Sequence, residues 1–130
     1  MKGIMDENGG ERLLCESDHR FMSLIWDNEP LSSAELARLC LEEFGWKKST
    51  SYTMLKRLCD KGLAKNENAC VSSLVPRSEI SERESRLFVK KSFGGSLPGF
   101  LVSFLGSKKL SKAEAAELMS LIEERVEEGE

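Results

Sequence analysis

The sequence has a single histidine, His19, and four cysteines at 15, 40, 59 and 70 with no C-x-x-C pair. Zinc sites draw their ligands from short clusters, and these residues are scattered, so no metal and no cofactor is expected. Cys40 and Cys59 fall on apolar helix faces, where cysteine packs as a small hydrophobe. The lone histidine, the lack of a glycine-rich phosphate loop and the lack of a nucleophile motif leave little for catalysis, and an enzyme is not expected. No apolar run approaches the roughly 20 residues that span a bilayer. The opening "MKGIMDENGGERLLCESD" lacks the apolar stretch of a secretion signal. The expectation is a cytoplasmic protein without membrane insertion.

What is present fits a folded domain. The 130 residues can bury a core, and 40% hydrophobic with 32% charged residues is a globular balance. Net charge is −3, but its distribution is uneven. From Trp46 to Lys65 there are six bases (Lys47, Lys48, Lys56, Arg57, Lys61, Lys65) against Asp60, a net +5. From Ala113 to Glu130 seven glutamates face one base, Arg125, a net −6. A local basic face is enough to hold a polyanion whatever the total.

Residues 1–16 are glycine-rich, acidic and aperiodic, which predicts a flexible arm. Ser17 is a plausible N-cap for a helix through Trp26, with Phe21, Met22, Leu24 and Ile25 as its stripe. "NEP" breaks it. "SSAE" then places Ser32 and Glu35 at capping-box spacing, and Leu36, Ala37, Cys40, Leu41 and Phe44 share a face before Gly45. A third helix starts near Ser49 or Thr50 and ends at Gly62. Its Ser51, Met54, Leu55, Leu58 and Cys59 fall on one side. "KNEN" reads as turn chemistry and "ACVSSLV" as a short strand stopped by Pro76. Three helices and a two-stranded hairpin, in that order, make a winged helix over 17–76.

Residues 77–130 return to helix. Ser78 can cap a segment to about Lys91, with Ile80, Leu87 and Phe88 apolar, until Gly94–Gly95 interrupt it. Leu97, Phe100, Leu101, Phe104 and Leu105 then recur at helical spacing. A last helix opens at Ser111 and Glu114, with Ala115, Leu118, Met119, Ile122 and Val126 as its stripe. These segments are more apolar than a small tail can bury alone, and a second copy is the natural cover. The fold class is therefore mainly α with a small β-hairpin wing, a winged helix-turn-helix followed by C-terminal dimerisation helices.

Two helices joined by a short turn, the second polar on its outer side, match the geometry that enters a DNA major groove. Ser49, Thr50 and Thr53 can bond phosphates or bases, and a threonine methyl can touch thymine. Lys56 and Arg57 can reach phosphates or guanine, with Tyr52 beside them. Lys47 and Lys48 sit where the preceding loop crosses the backbone, and Lys65, Asn66 and Asn68 would belong to the wing. The same face is also what a solvated helix on any small α-domain presents, and plain capping produces hydroxyl-rich helix starts.

The stretch "FMSLIWDNEPLSSAELA … WKKSTSYTMLKRLCDKGLA" resembles the penicillinase-repressor family of winged-helix regulators. The features that carry it are "LIW" at the end of the first helix, the Ser-Ala-x-Glu start of the second, and the tryptophan before the third. To these is added the run Thr50, Thr53, Leu55, Arg57, Leu58, Lys61, Gly62. The likeness continues to about residue 125. It implies a repressor that binds a dyad operator in double-stranded DNA as a homodimer held by its C-terminal helices. It also implies release through cleavage by a membrane sensor protease, between an asparagine and a phenylalanine. The matching bond here is Leu87–Phe88, with leucine in the asparagine's place. Asp18 and His19 stand where the family has Glu-Trp, which gives His19 a packing slot. Tyr52 replaces a frequent base, and Val71 and Ser72 replace wing aromatics. The copper-responsive C-x-C pairs have no counterpart after Cys70. Two other readings of the residues remain: a repressor whose dimer helices hold a small ligand near Phe93, Phe100 and Phe104, and a winged helix used as a protein adaptor.

Overall fold

The computed structural model describes residues 14–127. The order is α1 (Glu16–Asn28), β1 (Leu31–Ser32), α2 (Ser33–Phe44), α3 (Lys48–Asp60), β2 (Ala64–Glu67), β3 (Cys70–Ser73), α4 (Arg77–Phe93), α5 (Leu97–Leu105) and α6 (Lys112–Glu123). Residues up to Gly95 form one compact unit and those from Ser96 a second. α4 thus lies in the same compact unit as the three helices and the sheet before it.

The first unit is a winged helix. Three helices pack on a three-stranded antiparallel sheet of order β1-β3-β2. The hairpin β2–β3 was expected; β1 was not. It pairs Leu31 with Val71 and Ser32 with Cys70, and so closes the wing's inner edge. The core is built from the stripes of all three helices: Phe21, Met22 and Ile25 from α1, Leu36 and Cys40 from α2, Leu55 and Leu58 from α3. Leu63, Val71 and Ile80 complete it. Burying each of the large side chains contributes about 1.5–3 kcal/mol. Trp46 stacks on Phe21 at 6.1 Å between ring centroids and tilts against Phe44 at 4.8 Å, and so seals the turn between α2 and α3.

Helix ends follow local chemistry. Ser32 Oγ accepts the N–H of Glu35 at 3.0 Å, and Gly45 closes α2 in the left-handed region that costs glycine least. α1 begins two residues earlier than an N-cap at Ser17 would place it. Cys15 takes the cap position without a side-chain cap, and the Ser17 hydroxyl lies 3.3 Å from the Cys15 sulfur instead. The expected arm, residues 1–16, falls outside the described residues up to 13, but Leu14 is buried and Glu16 is already helical. α3 starts at Lys48, ahead of Ser49. α4 starts at Arg77 behind Pro76, so Ser78 is inside the helix and not its cap. "KNEN" is strand for three of its four residues. The turn is Asn68–Ala69, both at positive φ, the two-residue I′ geometry of tight hairpins.

α4 is fastened to the winged helix. Ile80 and Leu87 are buried, and Glu84 holds the start of α1 through the Leu14 N–H at 2.6 Å and the His19 ring. Trp26 Nε1 donates to the Val75 carbonyl at 2.9 Å, and Arg77 lies over the Trp26 ring and bonds Asp27. The second unit contains α5 and α6. Ser96 Oγ accepts from the Gly99 N–H and Ser111 Oγ from the Glu114 N–H. Neither helix buries a single residue among those described, and Leu97, Val102, Phe104, Met119, Ile122 and Val126 are exposed. No described helix is long and apolar enough to cross a membrane.

Candidate nucleic-acid interface

α3 buries Ser51, Met54, Leu55 and Leu58, with Cys59 half-buried against the core beside them. Lys47, Lys48, Ser49, Thr50, Thr53, Lys56 and Arg57 are all exposed, and Tyr52 is half-buried. The phase follows from the apolar spacing: with 51, 54, 55 and 58 inward, 49, 50, 53, 56 and 57 must face out.

The hydroxyls of this face are not spent on capping. Lys47 holds the N-cap position of α3 with extended backbone and no side-chain cap. Ser49, Thr50 and Thr53 make no side-chain hydrogen bond to a described residue, in contrast to Ser32, Ser96 and Ser111 at the starts of α2, α5 and α6. The first N–H groups of α3 therefore lack an intrahelical acceptor, and the helix dipole gives that end positive potential. Lys47 and Lys48 reinforce it. Neither pairs with a described acid, and Lys48 Nζ lies 5.9 Å from the centre of the Tyr52 ring. A polar end with unspent donors and unpaired ammonium groups is suited to phosphate.

The two bases that follow differ. Lys56 Nζ is 3.4 Å from Asp60, and both side chains are mostly in water. Arg57 Nη2 is 2.5 Å from Asp18 Oδ1, and Lys61 Nζ is 3.0 Å from Asp18 Oδ2. Asp18 is fully buried. Burial alone would push its carboxyl up, but the hydrogen bonds from Lys61 and Arg57 outweigh it and hold the group below the usual carboxylate range. The same pairing raises Arg57. Arg57 Nη2 also lies 3.5 Å from the Cys15 sulfur. Desolvation works against the Cys15 thiolate, while bonds from Ser17, the Asp18 backbone and Arg57 favour it, and the thiol is lowered. Cys40 and Cys59 are pushed up, chiefly by burial, as packed thiols are. No three described histidines, cysteines or acids gather as a metal site.

The wing residues follow α3 directly through the Gly62 turn. Lys65, Asn66 and Asn68 are exposed, with Lys65 Nζ 3.9 Å from Glu67. Val71 points inward, paired with Asn66, and Ser72 is half-buried, so neither offers the wing a tip side chain. The Ala69 carbonyl accepts the Ser33 N–H at 2.9 Å and ties the wing's turn to the start of α2.

Farther along, Leu87 is buried and Phe88 exposed, so their bond lies inside α4 with one side chain in the core. Of the apolar residues at helical spacing in the second unit, Leu97, Phe104, Leu118, Met119 and Ile122 are exposed, and Phe100, Leu101 and Leu105 are half-buried. The residue that sequence reasoning missed is Asp18. A signal was there: it lies three and four positions before Phe21 and Met22, in phase with the apolar stripe of α1. An acid in that phase has to find a cation.

A family model described as penicillinase repressor matches residues 14–124. The chain is 25% identical over 116 residues to the methicillin resistance regulatory protein MecI of Staphylococcus aureus strain Mu50, covering 86% of this chain and 94% of that protein. It is 27% identical over 115 residues to the penicillinase repressor of Bacillus licheniformis, covering 85% and 90%. The MecI protein of Mammaliicoccus sciuri is 24% identical over 116 residues.

Proposed function

The chain belongs to the penicillinase repressor family, and on that premise we propose that it is a DNA-binding transcriptional repressor of the cytoplasm that sits on a dyad operator as a homodimer. α3 is the recognition helix. Its first turn enters the major groove, where Ser49, Thr50 and Thr53 meet base edges or phosphates and the threonine methyls can touch thymine. Lys47, Lys48 and Lys56 neutralise backbone phosphates, and Tyr52 packs beside them. The wing adds Lys65, Asn66 and Asn68 along the sugar-phosphate chain. The observation that carries this reading is the outer face of α3: cations and uncommitted hydroxyls on one side of a helix whose other side is wholly in the core.

The homodimer is supported by the second unit, whose two helices expose Leu97, Phe104, Met119 and Ile122 to water. Apolar rows of that kind are covered in oligomers. Two copies related by a two-fold axis would present two recognition helices, which requires an operator with matching symmetry. Release by a membrane sensor protease acting at Leu87–Phe88 would need α4 to unwind first, since Leu87 is held in the core.

Selection of bound fragments from random duplex DNA tests the reading. Two inverted half-sites are expected, their centres one or more helical turns of about 10–10.5 base pairs apart. A pool with no enriched sequence after repeated rounds, or a single half-site without a mate, overturns it.

A further inference from the structure

Lys56 and Arg57 are neighbours on α3, yet their acidic partners are opposite in kind. The partner of Lys56, Asp60, is 68% exposed, and an ion pair in water exchanges readily for another anion. The partner of Arg57, Asp18, is 1% exposed at its side chain and also holds Lys61. A buried carboxylate has no water to turn to, so releasing either cation leaves charge uncompensated in the interior. The two bonds run from the last turn of α3 and its C-cap residue Lys61 to the first turn of α1, and they bind one end of the recognition helix to the body of the fold.

We propose that Asp18 is a positioning residue for the recognition helix: it withdraws Arg57 and Lys61 from the DNA backbone and fixes α3 against α1, leaving Lys47, Lys48 and Lys56 as the phosphate-binding cations of that helix. The inference rests on the DNA-binding reading above. The basic stretch from Trp46 to Lys65 thereby does two jobs: Arg57, whose side chain is still 44% exposed, and Lys61 are bonded to a buried carboxylate, and the other four bases have no buried acid as partner. Selectivity benefits as well, because a helix anchored at its far end presents Ser49, Thr50 and Thr53 at a fixed depth.

The number of phosphates a protein neutralises is read from the slope of log affinity against log salt, at about 0.9 for each contact. The full chain binds a mixed-sequence duplex of about 30 base pairs between about 50 and 200 mM salt, followed by fluorescence anisotropy. Lys56→Ala is expected to flatten the slope by about 0.9 per bound protomer, whereas Arg57→Ala leaves it within about 0.3 of the parent even where affinity drops. Asp18→Asn frees one or both cations and should steepen the slope by about 0.9 to 1.8 per protomer, which loss of structure alone would not do. A flattening with Arg57→Ala equal to that with Lys56→Ala overturns the proposal, as does a folded Asp18→Asn chain with the parental slope. Should Asp18→Asn not fold, the comparison of the two α3 variants decides. A parent chain with no salt-dependent binding sinks the DNA reading and this proposal together; a parent that binds while Arg57→Ala flattens the slope sinks this one alone.

Discussion

Phe104→Ala should weaken self-association by a calculable amount. Phe104 lies on α5 and is 71% exposed in the single chain. Full burial of a phenylalanine contributes about 1.5–3 kcal/mol. Covering the exposed share in a dimer then contributes about 1–2 kcal/mol per copy. A two-fold interface uses the residue twice, so the substitution removes about 2–4 kcal/mol. With about 1.4 kcal/mol per decade, the dimer dissociation constant should rise about 30- to 1,000-fold. Sedimentation equilibrium across a wide concentration range measures it, with circular dichroism to verify that helix content is unchanged. Leu41→Ala is the control: Leu41 is 60% exposed on α2, outside the second unit, and its loss should leave the constant alone. A shift of less than threefold for Phe104→Ala, or an equal shift for Leu41→Ala, would refute the assignment of the interface.

Ala69 sits at φ +63 in the wing turn, a region glycine occupies without strain, so Ala69→Gly should raise stability by about 0.4–1 kcal/mol in chemical denaturation. A loss of stability would contradict the strain argument. Asp18 titrates below its ordinary value in the folded chain, so its contribution is complete above the unfolded value of about 4 and is lost as pH falls through the lower folded value. Thermal melts across the acid range should thus show a steep decline for the parent below about pH 4 and a flatter one for Asp18→Asn; parallel curves would exclude the linkage. Ser49→Ala should change stability by less than about 0.5 kcal/mol, because Lys47 is the cap residue; a cost near 1 kcal/mol would make Ser49 a cap after all.

The helices that build the site were legible because their ends carry unambiguous chemistry. Ser32 with Glu35 opens α2, and Gly45 and Gly62 close α2 and α3 with positive φ. The inward phase of 51, 54, 55 and 58 fixed the outward phase of the reading face. What escaped depends on distant partners. β1 is two residues long, too short for any periodicity, and exists only because Val71 and Cys70 pair with it. The wing turn was displaced because the usual Asn-Gly signal is Asn68–Ala69 here, and the polar residues before it were drawn into β2. α1 begins early because Leu14 has a core to enter and Glu84 to hold its N–H, from 70 residues away. His19 is half-buried and paired with Glu84, a partner 65 positions downstream that local sequence does not reveal. Arg57 was legible as a base on an outer face, but its partner was not, since Asp18 lies 39 positions upstream.

Thr53→Glu puts an anion at the centre of the proposed DNA-binding face. Thr53 is exposed on the middle of the α3 face, so glutamate can be carried without disturbing the core. If that face seats against phosphate and bases, an added anion should lower affinity for duplex DNA at least about a hundredfold at fixed salt while the melting temperature holds. Binding within about threefold of the parent would mean that DNA is held elsewhere or not at all.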